Sequence, residues 1–152
     1  GRFSIRFFLA AGAFCFCFWV GDLLRITGNR KTEQKYLRNV TLLYEGQKIK
    51  TRGLIDTGNH LTAPASGIPV HVATAELMKR LCPVVKGVMY VPYRCVGSSG
   101  ILPAVRIDEM KVEGEKDSFV IPKPWIAITK GSLSPCDEYE VLIQKNDEGM
   151  QV

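Results

Sequence analysis

Histidine and cysteine are scarce, with two His and five Cys in 152 residues. The cysteines, Cys15, Cys17, Cys82, Cys95 and Cys136, are odd in number and form no CxxC pair. That spacing fits neither a zinc site nor a disulfide framework, and no metal is expected. Reduced, structural thiols are the expectation. Cys15 and Cys17, two positions apart on a helix, would point about 200° from each other, which suits no disulfide and argues against a redox site. Gly97-Ser98-Ser99-Gly100 is too short for a phosphate loop and has no lysine after it. No serine has the His and Asp pattern of a serine hydrolase. There is no repeat of fixed period and no low-complexity tract. No basic stripe carries interleaved aromatics, so nucleic-acid binding is unsupported. No cofactor is expected.

What is present suits one domain. The apolar fraction of 46% and the charged fraction of 23% are ordinary for a folded chain. The length allows one real core and excludes a two-lobed enzyme built from this chain alone. The net charge of +5 is concentrated. Arg25, Arg30, Lys31, Lys35 and Arg38 stand against a single acid, Glu33.

One long apolar run precedes that cluster. Residues 7–20 read FFLAAGAFCFCFWV, bounded by Arg6 and Asp22. Extended to residues 3–24, the run is long enough to span a bilayer, with Trp19 near one edge where an indole suits the interface. It is apolar on every side, unlike a helix that buries one stripe. No small-x-small cleavage site comes after it, which argues against a signal peptide. Residues 1–24 are therefore expected to be a transmembrane helix, the end of a truncated membrane region, because the chain begins with Gly1 and not Met. Residues 25–39 are read as a basic linker. By the positive-inside rule they place the β-rich remainder of the chain on the cytoplasmic side of the cell membrane.

From residue 40 the pattern becomes β-rich. Strands are expected at 40–44 and 48–55, joined by a turn at Glu45-Gly46-Gln47. Another is expected at 69–73, followed by a helix over 74–81 with Thr74 as N-cap and Leu77, Met78 and Leu81 on one face. Further strands are expected at 88–91, 93–96, 101–107, 111–113, 118–121, 125–129 and 139–143. Many short strands with frequent turn signals describe a sandwich or barrel. The domain is expected to cover 40–145, with a polar tail at 146–152.

The stretch richest in chemistry is Leu54-Ile55-Asp56-Thr57-Gly58-Asn59. An apolar strand runs straight into Asp-Thr-Gly. Asp56 then sits at a strand end, in a loop backed by core. Gly58 allows a tight turn and a close backbone approach. The Thr57 hydroxyl can bond across to a neighbouring loop. As an ordinary turn the same residues would serve equally well, since Asp, Gly and Asn all favour turns. His60 is read as an exposed loop residue and His71 as a strand residue. Gly97–Gly100 is read as a flexible turn, with a flap over substrate as its sharper alternative. Tyr93 and Trp125 are expected to fill core or an interface.

Asp-Thr-Gly after an apolar strand is the signature of the aspartic proteases. The chain resembles, more narrowly, the sporulation sigma-E factor processing peptidases of spore-forming Firmicutes. The resemblance runs through Gly53-Leu54-Ile55-Asp56-Thr57-Gly58-Asn59-His60-Leu61, through Pro64 with Gly67-Ile68-Pro69-Val70, and through Val91-Pro92-Tyr93-Arg94-Cys95-Val96-Gly97. It continues in Leu133-Ser134 and Tyr139-Glu140-Val141-Leu142. It covers nearly the whole chain, as the C-terminal part of a full family member.

The resemblance implies a mainly β fold, a retroviral-pepsin-like β-barrel protease domain with one lobe per chain, preceded by the membrane helix. It implies an aspartic endopeptidase that removes the N-terminal pro-segment of a sigma factor precursor (pro-sigma-E), activated by a signalling protein. Asp56 would be catalytic, supported by Thr57, Gly58 and Asn59. Arg94, in the Val91–Gly97 block, is read either as a contact to substrate or to an acid near the active-site loop, or as a surface arginine at a strand end. Only one Asp-Thr-Gly occurs, so such an enzyme must be a homodimer with one aspartate from each chain. Departures from the family pattern are Ala63, where an acid is usual, and Cys95, where a small residue is usual. Aspartic proteases also carry an apolar-apolar-Gly element in a later strand; the nearest match here is Ile126-Ala127-Ile128, without the glycine. The competing expectation is a catalytically silent, membrane-anchored β domain that binds a sigma factor or another protein.

Overall fold

The computed structural model describes residues 34–145. The expected membrane helix, most of the basic linker and the polar tail lie outside these residues. Among the described residues no helix is long and apolar enough to cross a membrane. The strands and helix all belong to the unit that begins at Tyr36.

The domain is mainly β, as expected. In chain order it comprises β1 (Leu37–Tyr44), β2 (Gln47–Asp56), β3 (Val70–Thr74), α1 (Ala75–Leu81), β4 (Met89–Cys95), β5 (Ser98–Arg106), β6 (Glu109–Glu113), β7 (Ser118–Pro122), β8 (Trp125–Thr129) and β9 (Val141–Gln144). The strands form one sheet in the order β4-β5-β8-β3-β9-β2-β1-β6-β7. β1 begins at Leu37, so strand structure reaches back into the stretch read as linker.

Local chemistry accounts for the first hairpin. Glu45 and Gly46 both have positive φ, 46° and 81°, which matches the strand twist in a two-residue turn. Tyr44 then pairs with Gln47. The β1 side chains alternate toward the core at Val40, Leu42 and Tyr44, the period of a half-buried strand. α1 starts as its sequence predicts. The Thr74 hydroxyl accepts the Leu77 N–H at 3.3 Å, and Leu77, Met78 and Leu81 are buried. They join Val40, Leu42, Val105, Met110, Ile126 and Ile143 in the main core.

Residues 88–96 differ from expectation. Pro92 breaks the sequence pattern into two strands, yet β4 runs unbroken through it, with Pro92 paired to Ile101. β4 lies at the sheet edge, where a residue without an N–H is tolerated. The turn to β5 is only Val96-Gly97, with Gly97 at φ 82°. Ser98, Ser99 and Gly100 belong to β5 and are not a loop. A Cβ at Gly100 would stand 2.8 Å from the Tyr93 ring, so that aromatic lies directly on the glycine across the hairpin.

β9 sits between β2 and β3, parallel to the first and antiparallel to the second. It is thus the last strand in the chain that holds the end of β2. Its approach is close: a Cβ on Gly53 would stand 2.9 Å from both Ile143 Cδ1 and Val40 Cγ2.

Candidate active site

Asp56 is the last residue of β2 and stands in register with Gln144 of β9. One carboxylate oxygen, Oδ1, accepts the Gly58 N–H at 2.9 Å. The chain therefore folds back over its own aspartate. A Cβ at Gly58 would lie 3.3 Å from that same oxygen, so a side chain there would press on the acceptor. Thr57 is exposed, and its hydroxyl forms no hydrogen bond with the described residues.

Asn59 anchors the returning loop. It is buried, donates from Nδ2 to the Val70 carbonyl at 3.2 Å, and accepts the Leu61 N–H on Oδ1 at 3.0 Å. This is a local turn in which the side chain replaces a backbone partner.

A cleft of about 690 Å³ opens beside this loop. Asp56, Gly58 and Asn59 line it together with Pro92, Tyr93, Arg94 and Cys95 of β4. Val72, Leu102 and Leu142 supply apolar lining. The volume is that of a site for a small molecule or a few side chains. Four of the five residues expected at the site, Asp56, Gly58, Asn59 and Arg94, thus meet at one cleft, and Thr57 lies beside it. Arg94 makes no ion pair with the described residues, Asp56 included. His60 is exposed and also lines the cleft. Among the described residues no three His, Cys, Asp or Glu side chains cluster as metal ligands.

Ile126-Ala127-Ile128 lies in β8, which pairs with β3 and β5. The strand beside Asp56 is Val141-Leu142-Ile143-Gln144. Gln144 closes that apolar run and is 1% exposed. Its partner His71 is fully buried and accepts the Gln144 backbone N–H on Nδ1 at 2.9 Å. Neither was identified from the sequence as part of the site. The available signal was a polar residue closing the apolar run Val141–Ile143. Ala63, a departure from the family pattern, is buried in the smaller apolar cluster with Val70, Val91 and Ala104.

A mainly β domain that presents one strand-end aspartate, in an Asp-Thr-Gly loop, to an open cleft is thus the class that fold and site define. The chain belongs to the peptidase U4 family, sporulation factor SpoIIGA, whose model matches residues 2–146. It is 26% identical over 132 residues to the sporulation sigma-E factor-processing peptidase of Priestia megaterium, covering 70% of this chain and 42% of the relative. It is 24% identical over 150 residues to the probable sporulation sigma-E factor-processing peptidase of Clostridium acetobutylicum, covering 95% of this chain and 54% of that relative. The chain therefore spans about half the length of the curated relatives it matches. No solved structure matches it.

Proposed function

We propose that this chain is the protease part of a membrane-bound aspartic endopeptidase that activates a sporulation sigma factor by removing the N-terminal pro-segment of its precursor. The observation that carries the proposal is Asp56, at a strand end, with its carboxylate held by the Gly58 N–H and open to the cleft beside β4. The family and the names of its relatives supply the substrate class. The passage of β9 between β2 and β3, beside the aspartate, supports a retroviral-pepsin-like lobe.

The chemistry needs two carboxylates, and the sequence holds one Asp-Thr-Gly. Two chains would pair about a two-fold axis and bring their Asp56 side chains together, with the exposed Thr57 hydroxyls free to bond across the axis. Like charges so close do not both ionise, so the pair shares a proton. The ionised carboxylate takes a proton from water as the water oxygen attacks the scissile carbonyl carbon. The protonated carboxyl donates to the carbonyl oxygen. Breakage of the C–N bond then passes a proton to the leaving amine. Arg94, which lines the same cleft, would meet a polar or acidic group of the peptide. Residues 3–24 would anchor both copies in one cell membrane with the protease on the cytoplasmic side, raising their effective concentration. An activating signalling protein would act through the membrane part.

The test is co-expression of the full protein with a sigma-E precursor and its activator, comparing wild type with Asp56→Ala on a gel. Wild type alone should shorten the precursor. Processing by the Asp56→Ala protein would overturn the proposal.

A further inference from the structure

A buried polar network lies against the Asp56 loop, and the paired-aspartate chemistry makes no use of it. Gln144 is its hub. Its side-chain nitrogen Nε2 lies 2.8 Å from the Leu61 carbonyl, 3.2 Å from the Val70 carbonyl and 3.3 Å from Asn59 Oδ1. Two of these acceptors are main-chain carbonyls, so the amide has only one sensible orientation, nitrogen toward them. With the oxygen there instead, acceptors would face acceptors.

The backbone of the same residue is fixed from the other side. Its N–H donates to Nδ1 of His71. That bond needs the Nδ1 lone pair, which assigns the ring proton to Nε2. His71 reaches this position because β3 and β9 are adjacent antiparallel strands.

Buried polar groups are normally satisfied, so satisfaction alone says nothing about function. What distinguishes Gln144 is where its bonds go. All three side-chain acceptors belong to the stretch from Asn59 to Val70, which leads away from the aspartate. Its main chain, meanwhile, is paired at the level of Asp56 itself. One residue thus ties the aspartate's strand to its returning loop. A glycine at this place in the strand could make the backbone bond but not the side-chain ones.

We infer that Gln144, oriented by His71, is a positioning residue for the Asp56 loop. The inference rests on the reading of Asp56 as catalytic. Gln144 touches no reacting atom; it holds the loop so that the carboxylate meets its partner and the attacking water in register. Displacement of a catalytic group by about 1 Å can cost about a hundredfold in rate. A looser loop should therefore lower kcat and leave substrate affinity nearly intact.

The experiment uses the full protein with a sigma-E precursor and the activator, rates being normalised to folded enzyme by thermal melting. Gln144→Met keeps the size and removes every side-chain donor. Gln144→Glu keeps the shape, but its ionised form turns acceptors toward acceptors, while its protonated form regains one donor. For Gln144→Met the expected result is a kcat about ten- to a hundredfold lower with KM within about twofold. For Gln144→Glu the expected result is a rate, relative to wild type at the same pH, that climbs as pH falls. A folded Gln144→Met enzyme with wild-type kcat would overturn the inference. If that variant does not fold, a Gln144→Glu ratio flat with pH would overturn it instead. Asp56→Ala is run beside both. Cleavage by that variant would remove the catalytic reading itself, whereas an inactive Asp56→Ala protein beside a fully active Gln144→Met protein would remove only the positioning role.

Discussion

The three described cysteines show how burial sorts one chemistry into different reactivities. Cys82 is buried behind the end of α1, and its thiol donates to the Met78 carbonyl at 3.3 Å. Burial pushes that thiol up from the ordinary cysteine range, because the thiolate would lose its water. Cys95 and Cys136 are exposed. The attacking species in alkylation is the thiolate. A maleimide at neutral pH should therefore label Cys95 and Cys136 rapidly and leave Cys82 unmodified until the domain unfolds. Peptide mass mapping of the labelled protein reads this directly, and early labelling at Cys82 would show that α1 does not close over it. Cys95 also lines the cleft. Its label is a reporter of whether bound peptide covers the β4 wall.

Between elements, the contact that fixes the site is β9 on β2. Gly53 makes it possible, since any Cβ would enter the space of Ile143 and Val40, both buried. Gly53→Ala should cost about 1–3 kcal/mol, the usual penalty for overpacking a filled core. Urea unfolding monitored by intrinsic fluorescence measures it, and an unchanged midpoint would mean that the sheet has room to give. This contact also marks the limit of what the sequence discloses. The Glu45-Gly46 turn, the Thr74 cap, the buried face of α1 and the aspartate at a strand end were all legible, because each is written in a few adjacent residues. Pro92 inside one continuous strand was not, because being at a sheet edge is a fact of tertiary structure. Nor was the pairing of β9 with β2, which joins residues far apart in the chain. The Gln144 bond to His71 crosses 73 positions and the Gln144 bond to Asn59 crosses 85. No local pattern carries that information. The strand beside Asp56 is β9 and not β8, and its apolar run Val141–Ile143 ends in Gln144 where the sequence pattern sought a glycine.

At the scale of the whole molecule, a single Asp-Thr-Gly makes stoichiometry the deciding property. A dimer that needs an aspartate from each partner responds to dilution with inactive subunits differently from a monomer. When wild-type and Asp56→Ala chains are expressed together in equal amounts, random pairing leaves about a quarter of dimers with two aspartates. Processing should then fall to about a quarter of that given by the same total of wild-type chains. A monomeric catalyst would retain about half. The mixing must occur during synthesis, so that the two versions pair at random. Raising the mutant share should lower activity as the square of the wild-type fraction, a curve that a linear titration excludes at several ratios. Two epitope tags, one on each version, confirm that both are made in the intended proportion. A quadratic decline would tie catalysis to two copies of Asp56 meeting across an interface. A linear one would refute the paired-aspartate chemistry while leaving Asp56 open to a different role within one chain.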